Sequence, residues 1–129
     1  MKRISKLFFL VLISTLVSHQ LKAENVADHI DLVIQFDNDF EKHYSKIRYT
    51  QEMTVLNAMQ QMQKHPRATP FKVRGKGTST FLFEIDSIAN QGNGKNWIYY
   101  VNGKRATVGI GAKKLNPRDH ILWKYESYR

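Results

Sequence analysis

The side chains able to do covalent chemistry are few and scattered. The 129-residue chain has no cysteine. Beyond the N-terminal segment its histidines are His29, His43, His65 and His120, with neither H-E-x-x-H nor H-x-H spacing, so zinc ligation is not expected. No serine lies in a G-x-S-x-G elbow. Gly75-Lys76-Gly77 and Gly109-Ile110-Gly111 are bare G-x-G pairs that open no helix, and they read as bends in strands rather than phosphate cradles. Asp37, Asn38, Asp39 and Glu41 lack the spacing and the glycine of a calcium loop and read as a solvated turn. With no nucleophile beside a base, no paired carboxylates and no metal set, a non-enzymatic protein is expected.

Binding chemistry is better represented. In Trp97-Ile98-Tyr99-Tyr100, Trp97 and Tyr99 point to one side of an extended strand, Ile98 and Tyr100 to the other. One set must fill a core; the other pairs with cross-strand aromatics or lies exposed, where it would suit a flat ligand or a peptide edge. The polar loop 89–96 precedes this strand and Asn102-Gly103 follows it. A candidate site is therefore assembled from Asn96 and Asn102 as hydrogen-bonding groups, Trp97 and Tyr99 or Tyr100 as stacking area, and Lys104 or Arg105 as charge for a phosphate or carboxylate. Lys72, Arg74 and Lys76 form one basic stripe, and Lys104, Arg105, Lys113, Lys114 and Arg118 another group. Solvated sheet faces explain them better than nucleic acid does.

The elements that must position these groups follow from periodicity. Ile30, Leu32, Ile34 and Phe36 alternate with polar positions, as one face of a strand does. Asp37-Asn38-Asp39 is turn chemistry. Residues 43–49 alternate again, with Ser45, Ile47 and Tyr49 on one side and Tyr44, Lys46 and Arg48 on the other, which predicts a hairpin. Val55, Leu56, Met59 and Met62 then recur at helical spacing behind Thr54, an N-cap residue. Pro66 disfavours helix at His65, so a helix is predicted over 55–64. A helix so short is unstable alone and must lie on a sheet. Residues 71–74, 78–88, 97–101 and 121–125 read as strands, with Asn102-Gly103 as a hairpin turn. Two strands, one helix and then three or four strands predict an α+β fold: a β-grasp-like roll with one helix on a mixed sheet of about five strands.

The first residues have another character. A basic head (Lys2, Arg3, Lys6) precedes an apolar run of about eleven residues, Leu7 to Val17, and the small Ala23 stands before Glu24. That is the layout of a cleavable signal peptide over residues 1–23. The run is well short of the roughly 20 residues needed to span a bilayer, so no membrane anchor is expected after cleavage. Four of the 20 basic residues and none of the 11 acidic ones lie in this segment, leaving residues 24–129 as one domain of net charge +5. Export without disulfides fits a periplasmic or secreted protein, with either a small-molecule ligand or an envelope protein as partner and no role for nucleic acid.

The stretch Asn96 to Lys104 (N-W-I-Y-Y-V-N-G-K), with Val108 to Gly111 (V-G-I-G), Asp119 to Tyr125 (D-H-I-L-W-K-Y) and Thr54 to Met59 (T-V-L-N-A-M), resembles the transcobalamin C-terminal-like domain of the DUF4430 type. That family is similar to the small β-domain of transcobalamin and intrinsic factor and is grouped with the soluble-ligand-binding β-grasp domains. The resemblance implies a ligand-binding scaffold, with cobalamin or a related corrinoid as the leading ligand. In the animal carriers this domain is joined to a helical barrel and the ligand lies between the two; the 129 residues here include no such barrel. The family's closing turn carries Gly where this chain has Arg118, so a different turn geometry is expected there.

Overall fold

The computed structural model describes residues 28–128; the predicted signal peptide lies outside the described residues. The chain order is β1 (His29–Gln35), β2 (Glu41–Arg48), α1 (Val55–Met62), β3 (Phe71–Arg74), β4 (Phe81–Ile85), β5 (Ile88–Ala89), β6 (Lys95–Val101), β7 (Lys104–Arg105) and β8 (His120–Ser127). Five strands form one sheet in the order β2-β1-β8-β6-β7, and β3-β4-β5 form a second, small one. In the large sheet β1 and β8 run parallel while the other pairs are antiparallel. This mixed sheet with one helix on it is the predicted α+β roll.

The helix starts where the chain supplies a cap. Thr54 Oγ1 accepts from the Asn57 amide, and Asn57 Oδ1 accepts from the Thr54 amide. The reciprocal pair satisfies two of the free N–H groups at a helix start. The Val55 and Leu56 amides reach the carbonyls of Lys113 and Ile110. The regular helix stops at Met62, two residues before the predicted end. The Lys64 and His65 amides turn to carbonyls three residues back, the tightening expected when Pro66 forbids a further turn. Val55, Ala58, Met59 and Met62 are buried against the sheet, and the Trp123 indole N–H lies 3.2 Å from Met59 Sδ.

One face of the large sheet meets the helix. Ile30, Leu32, Ile34, Tyr44, Ile47, Trp97, Tyr99, Val101, Ile121 and Trp123 all belong to this core. The small sheet closes the core beside β6 through Leu82 and Ile85. Buried apolar side chains contribute roughly 1.5–3 kcal/mol each, so a cluster of this size supplies the main driving force for folding.

Strict alternation fails in two places. Tyr44 and Ile47 are both buried although three residues apart. Lys46 takes φ 66°, and the β1–β2 register shifts between Ile30 and Leu32, so a bulge turns Ile47 inward with Tyr44. The expected grouping of Tyr44 with Lys46 and Arg48 is thereby corrected. Likewise in β4 Leu82 and Ile85, three residues apart, both enter the core. The β3–β4 register slips between Lys72 and Val73, which leaves Phe83 as the extra residue. The predicted strand over 78–88 is also cut by a tight turn at Asp86-Ser87, both with positive φ.

The two G-x-G segments are not strand bends. They lie backbone against backbone: the Gly111 amide donates to Thr80 O at 3.2 Å. A Cβ on Gly111 would fall 2.0 Å from Gly77 O, so only glycine permits this approach.

Candidate functional site

Tyr100 and Arg105 are directly opposite each other across the β6–β7 pair. On the helix-free face of the sheet, Tyr100 is also opposite Leu122 of β8, and Lys124 is opposite Ile98. Gln35 of β1 is opposite Lys124. Tyr100, Arg105, Lys124 and Gln35 border a groove of about 530 Å³ that continues over the end of β1. Its lining includes Gln35, Phe36, Asp37, Lys95, Tyr125 and Glu126. The groove exists because β1 and β8 are parallel neighbours, which brings their last residues to the same edge.

Two aromatic residues of its lining, Phe36 and Tyr125, lie on the core side of the sheet end. Phe36 meets Trp97 edge-on with ring centroids 5.6 Å apart, and Tyr125 is tilted against the same indole at 5.0 Å. Offset and edge contacts of this kind hold rings in place beyond what area burial supplies. Trp97 itself does not line the groove.

Charged side chains make up much of the lining. Lys95 pairs with Asp37 at the β1 end. Lys95 and Tyr100 are five residues apart on β6, about 17 Å at strand spacing. At the Tyr100 end, the phenol donates to Glu126, and Lys124 Nζ lies 5.6 Å from the Tyr100 ring centre. The Tyr100 pKa is raised, first because its hydroxyl is bonded to the Glu126 carboxylate, then by burial. Arg105 places its guanidinium 4.0 Å from the Tyr128 ring centre.

The other predicted site residues have structural positions. Trp97 is 5% exposed and its indole N–H donates to Ile88 O at 2.8 Å. Tyr99 is 7% exposed, donates to Val108 O at 2.6 Å, and packs against Trp123. Its pKa is pushed up to about 12 because burial disfavours the phenolate. Neither ring offers a face to a ligand.

Asn96 Oδ1 accepts from the Gly92 amide and Asn96 Nδ2 donates to Gly92 O, folding the 89–96 loop onto itself. Asn102, at φ 51°, donates to Asp119 Oδ1 and accepts from the His120 amide, both at 2.8 Å. Lys104 is exposed. Of the seven predicted residues, Tyr100 and Arg105 line the groove.

Sequence reasoning missed Gln35, Phe36, Lys95, Lys124, Tyr125 and Glu126. The available signal was topological: a β-grasp sheet sets its first and last strands side by side. Among the described residues no three His, Asp or Glu side chains gather as a metal site, and no helix is long and apolar enough to cross a membrane.

Comparison with known proteins adds family and fold. Residues 52–127 match the model of a domain of unknown function, DUF4430. No curated protein matches the chain. A crystal structure of a Ruminococcus gnavus protein, provisionally described as metal binding, superposes with a TM-score of 0.62 at 9% identity, covering 79% of this chain and 99% of that one. Haptocorrin in complex with Cbi superposes with a TM-score of 0.66 at 12% identity, covering 81% of this chain and 27% of haptocorrin. The chain therefore corresponds to about a quarter of the haptocorrin chain, and at these identities the likeness is one of fold.

Proposed function

Given that this chain belongs to the DUF4430 family, we propose that it is a small exported module that binds a soluble ligand in the Tyr100–Arg105 groove and catalyses no reaction. The observation that carries this reading is the groove itself: Tyr100, Arg105, Lys124 and Glu126 on the helix-free face, with a lining that continues past the end of β1 to Phe36 and Tyr125. Its lining is mostly polar and charged, suited to a polar ligand, and 530 Å³ is within the roughly 300–1,000 Å³ that small-molecule sites occupy.

Cobalamin or a related corrinoid is the leading ligand. Support comes from the fold shared with haptocorrin, whose structure holds Cbi, a cobalamin analogue. The groove is open on one side, so it would grip one edge of such a ligand and leave the rest for a second body. Export rests on the layout of residues 1–23.

The test is calorimetric titration of the full chain, purified as the producing cell leaves it, with cyanocobalamin and with Cbi. Saturable heat with micromolar or tighter affinity supports the corrinoid reading; no heat at high protein concentration removes it.

A second reading, docking to an envelope protein, draws on β2, whose eight residues form one edge of the large sheet. A free strand edge can pair with a partner's extended segment. The bulge at Lys46 interrupts that edge, which favours the groove. One envelope protein co-purifying with a chain that lacks small-molecule affinity would reverse the preference.

A further inference from the structure

Arg105 and Lys124 are the groove cations that enter no ion pair among the described residues. Lys95 pairs with Asp37. Lys42, Lys72 and Lys114 pair with Asp86, Glu84 and Glu52. Glu126 accepts the Tyr100 hydroxyl. Arg105 enters no ion pair among the described residues, and its Nη2 is buried with no hydrogen-bond partner. A buried polar donor left without an acceptor costs free energy, more so when charged. Folds retain such groups where something outside the chain satisfies them.

The setting indicates what that something is. The exposed Tyr128 ring lies against the guanidinium, 4.0 Å from ring centre to Cζ, and the unpartnered N–H groups of Arg105 are the donors with bonds to give. A planar guanidinium edge matches the two oxygens of a carboxylate or phosphate. Lys124, bordering the same groove, adds a second positive charge. At the far end, Asp37 answers Lys95; at the Arg105 end, Arg105 and Lys124 stand with the single carboxylate of Glu126, which leaves a net positive charge there.

We propose that Arg105, held against Tyr128, is the oxyanion-binding element of the groove, and that the ligand presents a carboxylate or phosphate group to it. The inference rests on the groove being the ligand site, but it is independent of whether the ligand is a corrinoid. It gives the groove a polarity, with the anionic group at the β7 end and the rest of the ligand toward the end of β1.

The experiment follows the Arg105 guanidinium by nuclear magnetic resonance in the labelled full chain, with the signal assigned by its loss in Arg105→Met. Inorganic phosphate and succinate are titrated separately at constant ionic strength. The expected result is a saturable shift of the Arg105 signal and of the Tyr100 amide. In Arg105→Met the Tyr100 response weakens about tenfold or more, as loss of a charge-assisted hydrogen bond implies, and Arg105→Lys recovers part of it. The stronger of the two probes identifies a phosphate-bearing or a carboxylate-bearing ligand. Absence of a saturable shift with both probes overturns the proposal, as does a Tyr100 titration equal in wild type and Arg105→Met. Should Arg105→Met fail to fold, the wild-type titration and Arg105→Lys still decide the matter. Phosphate binding without cyanocobalamin heat keeps the anion site and removes the corrinoid. Equal cyanocobalamin affinity in wild type and Arg105→Met keeps the corrinoid reading and removes the anion site.

Discussion

Asn102→Gly separates a structural role for this side chain from a ligand-binding one. Asn102 sits at φ 51° in the β6–β7 turn, a conformation glycine adopts freely, so the backbone is not strained by the change. What is lost is the side chain's pair of bonds, one to the carboxylate of Asp119 and one from the His120 amide. Asp119 is 7% exposed, and its other oxygen is already occupied by the Asn116 amide at 2.7 Å. Losing a bond to a buried charged group costs about 1.5–3 kcal/mol, and the exposed His120 amide adds about 0.5–1 kcal/mol after rehydration. The sum is about 2–4 kcal/mol, or a fall of about 10–25 °C in Tm for a domain of this size. Urea unfolding followed by fluorescence measures it directly, because Trp97 and Trp123 are both buried in the core. A loss below about 0.5 kcal/mol would refute the reasoning and leave the backbone bond from Asn102 N to His120 O as sufficient to hold the turn. Ligand affinity of the folded variant is expected to equal that of the wild type.

Other expectations follow from single residues. Arg118 has φ 67°, so Arg118→Gly is expected to stabilise by about 0.5–1 kcal/mol, the relief of a left-handed residue less the added freedom of the unfolded chain; a lower urea midpoint would contradict this. Tyr99 keeps its proton to about pH 12 when folded but loses it near pH 10 when unfolded. Because the folded-state pKa is raised, its contribution is complete below pH 10 and declines as pH rises toward 12, by on the order of 1–2 kcal/mol. Tyr99→Phe is expected to flatten that slope in alkaline unfolding curves. Trp97→Ala should cost about 3–5 kcal/mol through its cavity, whereas Tyr100→Ala should leave the unfolding midpoint within about 1 kcal/mol and weaken ligand binding; the reverse pattern would mean that the two strand faces had been assigned the wrong roles.

The parts of the fold that depend on local chemistry were legible. Thr54 and Pro66 bracket the helix, Asn102-Gly103 makes the β6–β7 turn, and alternation in 30–36 and 121–125 marks β1 and β8 together with their core faces. The bulges at Lys46 and Phe83 were not legible, because each is an ordinary residue whose conformation is set by the neighbouring strand. Nor was the Asp86-Ser87 turn, which takes positive φ without glycine. At Arg118 the turn takes the left-handed conformation that glycine favours, and the Arg118 amide bonds to His29 O and holds the turn against β1.

The candidate site was half legible for a similar reason. Alternation separated Tyr100 from Trp97 and Tyr99 but could not say which side met the helix. Once the core lies on the Trp97 side, Tyr100 and Arg105 are left on the open face. Gln35, Lys124 and Glu126 join them only through the pairing of β1 with β8 and β8 with β6, a tertiary fact with no local signature. The polar loop 89–96, which looked like a ligand-binding loop, instead satisfies its own groups: Gln91 and Asn96 bond the backbone within it.

The most direct test of the central claim is to map where a ligand touches the chain. Amide spectra of the labelled full chain are recorded as cyanocobalamin is added. Shifts are expected to be confined to Gln35, Phe36, Asp37, Asp39, Lys95, Tyr100, Arg105 and residues 124–127, the positions that border the groove. A spectrum that does not move, or one that moves only along the free edge of β2, would contradict it.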